Sequence, residues 1–325
     1  MLFIRNDSTD PYFNMAAEEF LVKQLQEDAF MLWRNDNTIV IGRNQNTMAE
    51  INYDYVRKNS ISVVRRMSGG GAVFHDMGNI NFTFVVNSGD DFSNYQKFTE
   101  PVIGFLRSLG AEAELRGRND LVIEDKKISG NAQYMYKNRM LHHGTLLYNA
   151  EQNHLAEALR VSEDKIKSKG IQSVRSRVTN ILPYLKEPLS PEDFIARFAD
   201  YMVQNFPDCR FYDLSVHEAE IRKLRDEKYA TWEWNFGTSP AYAYQKRLRF
   251  PFGSVELYMD IGKESVIDDV KIFGDFFSKC PIGELEAKLC GMPHKQDVLQ
   301  ENLQQLPLGD YIQGMTDEDM MKLLF

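Results

Sequence analysis

Apolar positions recur at helical spacing near the start of the chain and then give way to short apolar runs. Asp10 and Pro11 form a helix start, with Asp at the N-cap and Pro at the first helical position. Residues 12 to 27 place apolar side chains three and four positions apart, which predicts an amphipathic helix. Further elements are predicted as strands at 30–33 and 38–42, on either side of a polar turn, and as a helix from Tyr53 to Lys58.

A long helix and a strand-rich middle follow. The helix is predicted from Tyr95 to Leu109 and ends at Gly110, a C-cap residue. Short strands are predicted at 113–115, 121–123, 127–129, 133–136 and 140–148, with turns at 124–125 and 137–138. Consecutive strands joined by short turns indicate an antiparallel sheet. Helices are predicted beyond it, at 151–161, after the N-cap Ser190 and at 215–228, so the fold class is α+β.

The pattern changes near Arg247. Strands are then predicted at 254–261 and 266–273, and helices at 282–289 and 295–303. From Arg247 onward the chain has 8 Lys or Arg and 14 Asp or Glu, a net charge of -6 against -9 for the whole chain. We therefore predict a large domain at 1–246 and a small α+β domain at 247–325, which is long enough to fold alone.

The composition mainly excludes some classes of protein. The 325 residues are 43% hydrophobic and 26% charged, as in ordinary soluble proteins. A net charge of -9 argues against general nucleic-acid binding. A bilayer-spanning run of about 20 apolar residues and a signal-peptide pattern are both absent from the sequence, so we expect a cytoplasmic protein with no membrane partner. Cys209, Cys280 and Cys290 form no CxxC pair, which argues for a reducing compartment and against a zinc site.

A glycine-rich stretch between predicted strands at 61–64 and 81–86 carries the first candidate chemistry. It reads Arg65-Arg66-Met67-Ser68-Gly69-Gly70-Gly71-Ala72-Val73-Phe74-His75-Asp76. Three successive glycines suit a backbone that needs positive φ or a close approach. Their N–H groups can form a nest for an anion, and the arginines can fork onto phosphate or carboxylate oxygens. The alternative is a glycine bulge between core strands with solvated arginines. The spacing matches neither the dinucleotide motif nor the P-loop.

A second candidate group combines Gly117-Arg118-Asn119-Asp120 with the segment from Lys126 to Ala132. Lys127 begins a predicted strand and offers a point charge with three donors, which can neutralise an acyl phosphate and hold its carbonyl oxygen. The alternative is a surface lysine at a hairpin, which is what we expect of Lys126. Asp120 can hold Mg²⁺ through phosphate oxygens. Its alternative is an exposed turn aspartate.

The adjacent His142 and His143 lie on a predicted strand and must point to opposite faces, which makes them a poor metal pair. We expect them, and His75, to pack or to form hydrogen bonds. Nucleophilic hydrolysis has little support, because Ser68 lacks the GxSxG context and no cysteine is placed for thiol catalysis. A nest, two arginines and a lysine on a sheet suit adenylation of a carboxylate, where catalysis is positioning and electrostatics.

Six motifs in order along the chain resemble lipoate–protein ligase A. They occupy residues 65–79, 117–120, 127–132, 142–147, 174–180 and 232–237. The resemblance implies the biotin/lipoate-ligase-like α+β fold, with an antiparallel sheet and flanking helices in a catalytic domain at 1–246 and an accessory domain at 247–325. It implies that ATP, with Mg²⁺, activates lipoate to lipoyl-AMP. The lipoyl group would then pass to a lysine of a 2-oxoacid dehydrogenase E2 lipoyl domain or a glycine-cleavage H protein.

The resemblance also implies roles for particular residues. ATP or the adenylate would contact Arg66, Gly71, Ala72, Val73, Phe74, Lys127, Arg175 and Asn180. Lipoate would contact Ser68, Gly69, Gly70, Gly71, His75, Asn79, Lys127 and His143. Lys127 would touch both the lipoyl carbonyl and the phosphate and is the expected catalytic residue. The basic loop at 167–180 resembles the family's adenylate-binding loop, and we expect an adenylate to order part of it.

Three other functions remain as alternatives. An octanoyl or lipoyl transferase of the same superfamily would share the pocket, although forms with a catalytic cysteine are disfavoured because all three cysteines lie beyond the sheet motifs. A biotin ligase is disfavoured because its glycine- and arginine-rich loop has a different order. A non-catalytic lipoate- or nucleotide-binding protein would not need both Arg66 and Lys127.

Overall fold

The computed structural model of the chain describes residues 1–87, 91–151, 157–159, 178–206, 208–236, 244–262 and 266–325. The strands are β1 (Leu2–Arg5), β2 (Ala29–Trp33), β3 (Thr38–Ile41), β4 (Ser62–Arg65), β5 (Val73–His75), β6 (Asn79–Val86), β7 (Glu114–Arg116), β8 (Asp120–Ile123), β9 (Lys126–Tyr136), β10 (Arg139–Leu147), β11 (Arg210–Phe211), β12 (Tyr244–Phe250), β13 (Gly253–Ile261) and β14 (Ile267–Gly274).

The described α-helices are α1 (Pro11–Lys23), α2 (Thr47–Glu50), α3 (Tyr53–Lys58), α4 (Tyr95–Ser108), α5 (Pro191–Asn205), α6 (Glu218–Leu224), α7 (Trp232–Asn235), α8 (Ile282–Leu289), α9 (Gln296–Leu303), α10 (Leu308–Tyr311) and α11 (Asp317–Leu324). Short 3₁₀ turns cover Leu182–Tyr184 and Leu214–His217, and one π-helical turn covers Arg225–Tyr229. The predicted helix at 151–161 lies mostly outside the described residues.

Eight strands form the central sheet, in the order β11-β1-β2-β6-β10-β9-β8-β7. Each neighbouring pair from β2 to β7 is antiparallel, as the short turns predict. The sheet is nevertheless mixed, because β1 runs parallel to both β2 and β11. The α+β class is confirmed, and the parallel edge has a simple cause: α1 connects β1 to β2, and a helical crossover brings the chain back in the same direction.

A second sheet of three strands, in the order β4-β3-β5, lies beside the first. In it β3 runs parallel to β4 and antiparallel to β5. The predicted strands at 30–33 and 38–42 therefore belong to different sheets and do not form a hairpin. The glycine-rich stretch ends in β5, a strand that the sequence analysis did not predict.

Helix caps and turn residues in the sequence mark the ends of several helices and strands. The Asp10 carboxylate accepts from the backbone N–H of Tyr12 at 2.9 Å and caps α1, which ends at Lys23 and not at residue 27. Ser190 caps α5 as predicted. The two-residue turn after β8 has φ of 49° at Glu124 and 65° at Asp125, the positive values that a hairpin turn needs. The segments predicted as two strands at 127–129 and 133–136 form one strand, β9.

Helices bury both faces of the central sheet. On one face, aromatic side chains of the sheet meet α4 and α5 in a cluster that includes Phe30, Phe82, Phe105, Phe194 and Phe198. On the other face, α1 and α6 cover a second cluster. This double cover explains why the strands read as nearly continuous apolar runs. No helix in the described ranges is long and apolar enough to cross a bilayer.

The C-terminal unit is a three-stranded sheet, β12-β13-β14, with α8 to α11 packed on it around a separate apolar cluster. Two strands were expected here and three are present. The expected boundary at 246/247 falls inside β12, so the unit begins at or before Tyr244. It contacts the rest of the molecule where β14 ends: the N–H of Gly274 donates to the carbonyl of Asn44 at 2.6 Å.

Candidate active site

A cavity of about 210 Å³ opens between the two sheets of the large domain. A single water needs only about 10–15 Å³ of such space, so a small organic molecule fits. Its closed end is lined by buried side chains, Met15, Trp33, Val40, His75 and Asn81, each 2% to 3% exposed. Its mouth is lined by partly exposed residues of the glycine stretch and of β9, among them Gly71, Ala72, Lys127 and Gly130. Phe277 of the C-terminal unit also reaches it.

The structure explains two of the three glycines, Gly69 and Gly70, and each for a different reason. A Cβ at Gly69 would overlap the carbonyl oxygen of Phe276, so close approach of another chain segment requires glycine there. Gly70 has φ of +94°, a value that favours glycine. A Cβ at Gly71 would meet no described atom within 4 Å. Gly70 N–H donates to the Phe276 carbonyl at 3.2 Å, so part of the predicted anion nest is occupied by the C-terminal unit.

Arg65 does not face the cavity, contrary to the expectation that both arginines could grip an anion. Its guanidinium donates to the backbone carbonyls of Gly42, Arg43, Gln45, Trp234 and Asn235 and to the hydroxyl of Thr47, at 2.6 to 3.1 Å. Burial lowers the pKa of Arg65 to about 10, which still leaves it charged near neutral pH. Arg65 therefore joins β3 and β4 to α7 and has a structural role.

Arg66 lines the cavity and also holds the glycine stretch. Its Nη2 donates to the carbonyl oxygens of Gly69 at 2.7 Å and Gly71 at 2.9 Å, and its Nη1 donates to that of Val40 at 3.2 Å. Burial lowers its pKa to about 10, so it carries a positive charge at neutral pH. The arrangement places a fixed cation against the cavity wall.

A buried hydrogen-bond chain runs from Arg66 to Glu18 of α1. Arg66 Nε donates to Ser68 Oγ at 3.1 Å, Ser68 Oγ lies 2.6 Å from His143 Nε2, and His143 Nδ1 lies 2.8 Å from Glu18 Oε1. Arginine can only donate, so the Ser68 hydroxyl accepts from Arg66. The Glu18 carboxylate can only accept, so His143 Nδ1 donates to it, and in the neutral ring His143 Nε2 accepts from the Ser68 hydroxyl. The Ser68 hydroxyl is 1% exposed and links two positioned groups, which agrees with its not being a nucleophile.

Lys127 lies at the mouth of the cavity and pairs with Asp120. Its Nζ lies 2.7 Å from Asp120 Oδ1, and both side chains are a little under 40% exposed. Gly130 leaves room for the lysine tip, because a Cβ there would lie 3.1 Å from Lys127 Nζ. Lys126 is exposed, as expected. Asp120 is thus the counter-ion of Lys127 and not an isolated turn residue.

Two family models together match most of the chain. Residues 10–203 match the family model of the lipoyl protein ligase A/B catalytic domain, and residues 239–324 match that of the bacterial lipoate protein ligase C-terminus. The chain belongs to the lipoate–protein ligase family. Among curated relatives, lipoate-protein ligase LplJ of Bacillus subtilis is 43% identical and lipoate–protein ligase 1 of Staphylococcus aureus is 42% identical, each over 100% of both chains.

Solved structures of lipoate ligases have the same fold. P. falciparum LipL1 in complex with lipoate has a TM-score of 0.78 at 26% identity and covers 94% of both chains. A lipoate-protein ligase A bound with ATP has a TM-score of 0.63 at 28% identity, over 73% of this chain and 98% of that one. The bi-partite lipoate protein ligase of Thermoplasma acidophilum, described with its E2 lipoyl domain, has a TM-score of 0.66 at 29% identity, over 75% and 98%.

Several residues that the family motifs singled out do not line the cavity. Phe74 is buried in the core of the small sheet. Asn79 donates from Nδ2 to Asn81 Oδ1 at 2.9 Å, and it is Asn81 that lines the cavity. The Asn180 amide exchanges two 3.0 Å hydrogen bonds with the backbone of Ala150. Arg175 and most of the basic loop lie outside the described residues.

Several residues of the cavity and of its hydrogen-bond chain were not predicted from the sequence. Polar residues at 79, 81 and 83 alternate with apolar ones in β6, a period-2 signal that would have marked Asn81. Glu18 and Glu19 interrupt an apolar stretch of α1, which is a weaker signal. Phe277 carries no local signal, because it reaches the cavity from the other unit. In the described part of the chain, no cluster of three or more His, Cys, Asp or Glu side chains could hold a metal ion.

Proposed function

We propose that this chain is an ATP-dependent lipoate–protein ligase. In the first step a carboxylate oxygen of lipoate attacks the α-phosphorus of ATP, which forms lipoyl-AMP and releases pyrophosphate. In the second step the neutral ε-amine of an acceptor lysine attacks the lipoyl carbonyl, which forms an amide, releases AMP and gives up one proton. Both steps develop negative charge on oxygen, so fixed cations near the reacting atoms lower the barrier.

The observation that carries the proposal is the polarity of the cavity. Its closed end is mainly apolar and suits an alkyl tail, whereas Lys127 stands at its mouth and Arg66 in its wall. A carboxylate that enters tail first would therefore come to rest beside Lys127. Apolar walls with a few placed polar groups are the usual form of a small-molecule site.

Lys127 is the proposed catalytic residue. It pairs with Asp120, and a phosphate or carboxylate at the mouth would compete for the same ammonium group. Asp120 would then be left to hold Mg²⁺ together with the phosphate oxygens, since Mg²⁺ often uses one or two carboxylates plus substrate. One protein carboxylate is enough for such a site but supplies no cage, so the substrate phosphates must provide the rest.

The solved relatives support the choice of substrates. One is bound to lipoate, one to ATP, and one is described with an E2 lipoyl domain. By analogy we propose ATP and lipoate as substrates here, and the lipoyl domain of a 2-oxoacid dehydrogenase E2 subunit or a glycine-cleavage H protein as acceptor. The three cysteines are unpaired. We place the reaction in the cytoplasm, where free thiols persist.

The test is to incubate the protein with ATP and lipoate and to detect pyrophosphate and lipoyl-AMP by mass spectrometry. The unmodified chain should produce both. Lys127→Ala should fold normally and lose roughly 10²–10³ in rate, the loss typical of removing one group that stabilises developing charge. Lys126→Ala is the matched control and should be nearly silent, because Lys126 is exposed and its neighbour faces the cavity.

Two outcomes would contradict this function. Turnover like that of the unmodified chain in Lys127→Ala would remove the catalytic assignment. Lipoyl or octanoyl transfer between proteins without pyrophosphate release would favour a transferase of the same superfamily.

A further inference from the structure

A chain of hydrogen bonds runs along the face of the central sheet that α4 covers and ends at the mouth of the cavity. It leads from the backbone N–H of Ser93, through the side chains of Gln133, His142 and Asn131, to the backbone carbonyl of Asn119. The three side chains between its ends are 0% to 3% exposed. Asn131 and Asn119 also line the cavity, so the chain connects the aromatic core to the site.

The Ser93 end fixes the direction of this chain. A backbone N–H can only donate, so the Gln133 atom 2.6 Å from the Ser93 nitrogen is the amide oxygen, Oε1. Gln133 Nε2 is then the atom 3.1 Å from His142 Nδ1, and it donates. His142 Nδ1 therefore accepts, which leaves the proton of the neutral ring on Nε2.

The Asn119 end gives the same answer independently. A backbone carbonyl can only accept, so the Asn131 atom 3.0 Å from the Asn119 carbonyl is the amide nitrogen, Nδ2. Asn131 Oδ1 then faces His142 Nε2 at 3.2 Å, and an oxygen there requires a donor. Both ends thus assign the His142 proton to Nε2, and every link pairs one donor with one acceptor.

The fold holds the His142 ring in this orientation. Three aromatic rings surround it with centroids 5.2 to 6.0 Å away, those of Phe82, Tyr95 and Phe98. Burial lowers the pKa of His142 to about 3, so the ring is neutral at pH 7. Gly144 makes room for the next link, because a Cβ there would overlap Asn131 Oδ1.

The chain ends on the hairpin tip that precedes Asp120. Residues 117–119 connect β7 to β8. The Asn119 carbonyl accepts from the backbone N–H and from the side-chain amide of Asn131, at 3.0 Å each, and Asn119 Nδ2 donates to the Asn131 carbonyl at 2.6 Å. The next residue, Asp120, pairs with Lys127 at 2.7 Å. Asn131 therefore sets where this counter-ion lies relative to Lys127.

We propose that Gln133, His142 and Asn131 are positioning residues for the mouth of the active site, and that the Nε2–H of His142 orients the Asn131 amide. Through the hairpin tip they place Asp120 against Lys127, where the phosphates of ATP would bind. The inference rests on the proposed function and adds to it residues of the aromatic core that no substrate needs to touch.

The first measurement needs no substrate. Correlation spectra of protein labelled with ¹⁵N-histidine distinguish a ring that is protonated on Nε2 from one that is protonated on Nδ1. The His142 signals are identified by their loss in His142→Gln. We expect only the Nε2–H form at pH 7. A ring protonated on Nδ1, or a mixture of the two forms, would overturn the inference.

The second measurement is the KM for ATP and for lipoate in pyrophosphate release, since neither value depends on the fraction of active protein. His142→Phe keeps a ring among the aromatic neighbours and removes both hydrogen bonds. We expect its KM for ATP to rise about tenfold, as when a residue that orients a binding group is lost, and its KM for lipoate to stay within about twofold. Gln133→Met should have a smaller effect on ATP, because the bond from His142 to Asn131 remains.

Two further variants serve as controls. His142→Gln offers an amide oxygen to Gln133 and an amide N–H to Asn131, so it should retain most of the affinity for ATP. His217→Phe makes the same change as His142→Phe at a histidine that packs on Phe20, with ring centroids 4.6 Å apart, and does not line the cavity. It should leave both KM values unchanged.

An unchanged KM for ATP in His142→Phe, or an equal rise of both KM values, would overturn the inference. Equal effects of His142→Gln and His142→Phe would also do so, because the hydrogen bonds would then be unimportant. If His142→Phe does not fold, Gln133→Met and the position of the ring proton still decide. Failure of the proposed function gives a different result: no acid would support pyrophosphate release, whereas the proton would remain on Nε2.

Discussion

Neighbouring residues in this chain can have unrelated roles, and the two adjacent histidines of β10 show why. Strand geometry sends their side chains to opposite faces, as predicted. His142 packs in the aromatic core, stacked on Phe98 with centroids 5.2 Å apart, and its nitrogens meet Gln133 and Asn131. His143 turns to the cavity side and joins the chain between Ser68 and Glu18. His142 thus packs in the core, whereas His143 lies at the cavity.

His142 should make the stability of the protein depend on pH. Burial, and then the neighbouring His143, lower its pKa to about 3, whereas an unfolded histidine has a pKa of about 6.5. Between these values the unfolded chain binds a proton that the folded chain does not. The free energy of unfolding must therefore fall as pH falls below about 6.5, by about 1.4 kcal/mol per pH unit for each such histidine.

We expect His142→Gln to reduce this slope by about 1.4 kcal/mol per pH unit between pH 6 and pH 4. Gln keeps a polar group near Gln133 and Asn131 but does not titrate in this range. Urea unfolding at several pH values measures the slope. Equal slopes in the two proteins would show that His142 is not buried in its neutral form.

At the scale of elements, α1 is the helix that brings the large domain and the cavity together. It supplies Met15 to the cavity wall, Glu18 to the buried chain that ends at Arg66, and Asn14 to a hydrogen-bond chain that runs through Asn35 to His75. These three side chains lie within about one turn of each other. The position at which α1 begins therefore fixes Asn14, Met15 and Glu18 together.

Asp10→Ala should lower the free energy of unfolding by about 1–2 kcal/mol, the usual effect of losing an N-cap. Asp10 Oδ1 caps α1, whereas its Oδ2 accepts from Arg225 Nε at 2.6 Å across a partly exposed ion pair. Asp10→Asn retains a capping oxygen and loses only the ion pair, so we expect a smaller effect, below about 1 kcal/mol. Urea unfolding at pH 7 measures both, and equal losses would mean that the ion pair and not the cap is important.

At the scale of the whole molecule, the C-terminal unit closes one side of the cavity. Phe277 lines it and stacks under the Arg118 guanidinium at 4.3 Å, and the Phe276 carbonyl accepts from Gly70. Gln313 Nε2 donates to Ser93 Oγ at 2.8 Å, and Asn44 Nδ2 donates to Ser278 Oγ at 3.3 Å. The described contacts are mostly polar, as in domain interfaces that permit relative motion. We propose that the unit rotates between adenylation and transfer and so opens Lys127 to the acceptor.

Gly69→Ala should favour the open arrangement without any ligand. Its Cβ would overlap the Phe276 carbonyl, which is backbone and cannot turn aside. Small-angle scattering should show a larger radius of gyration for Gly69→Ala than for the unmodified chain. Gly71→Ala is the matched control two residues away, where a Cβ meets no described atom within 4 Å, and its profile should be unchanged.

The same measurement tests the rotation itself. Lipoyl-AMP should change the profile of the unmodified chain, and identical profiles with and without it would contradict the proposed motion. If Gly69→Ala also scatters like the unmodified chain, the contact between Gly69 and Phe276 does not hold the units together.

The sequence by itself determined what depends on neighbours along the chain. The caps at Asp10 and Ser190, the hairpin turn at 124–125, the helix Tyr53–Lys58 and the order of the family motifs could all be predicted from it. Caps, turns and periodicity act over a few residues, so their signals are local. The family resemblance extended this to a short set of site residues, including Lys127 and Arg66.

Tertiary structure alone decided which of these residues meet. Glu18 and His143 are 125 positions apart, Asn35 and His75 are 40 apart, and Gly70 contacts Phe276 from another folding unit. Arg65 and Arg66 are the same residue type at adjacent positions. Arg65 nevertheless joins three structural elements, whereas Arg66 lines the cavity. Side-chain partners depend on how sheets and helices pack, and a register or crossover cannot be read from local pattern. For that reason the hydrogen-bond chain from Arg66 through Ser68 and His143 to Glu18 became visible only in the folded chain.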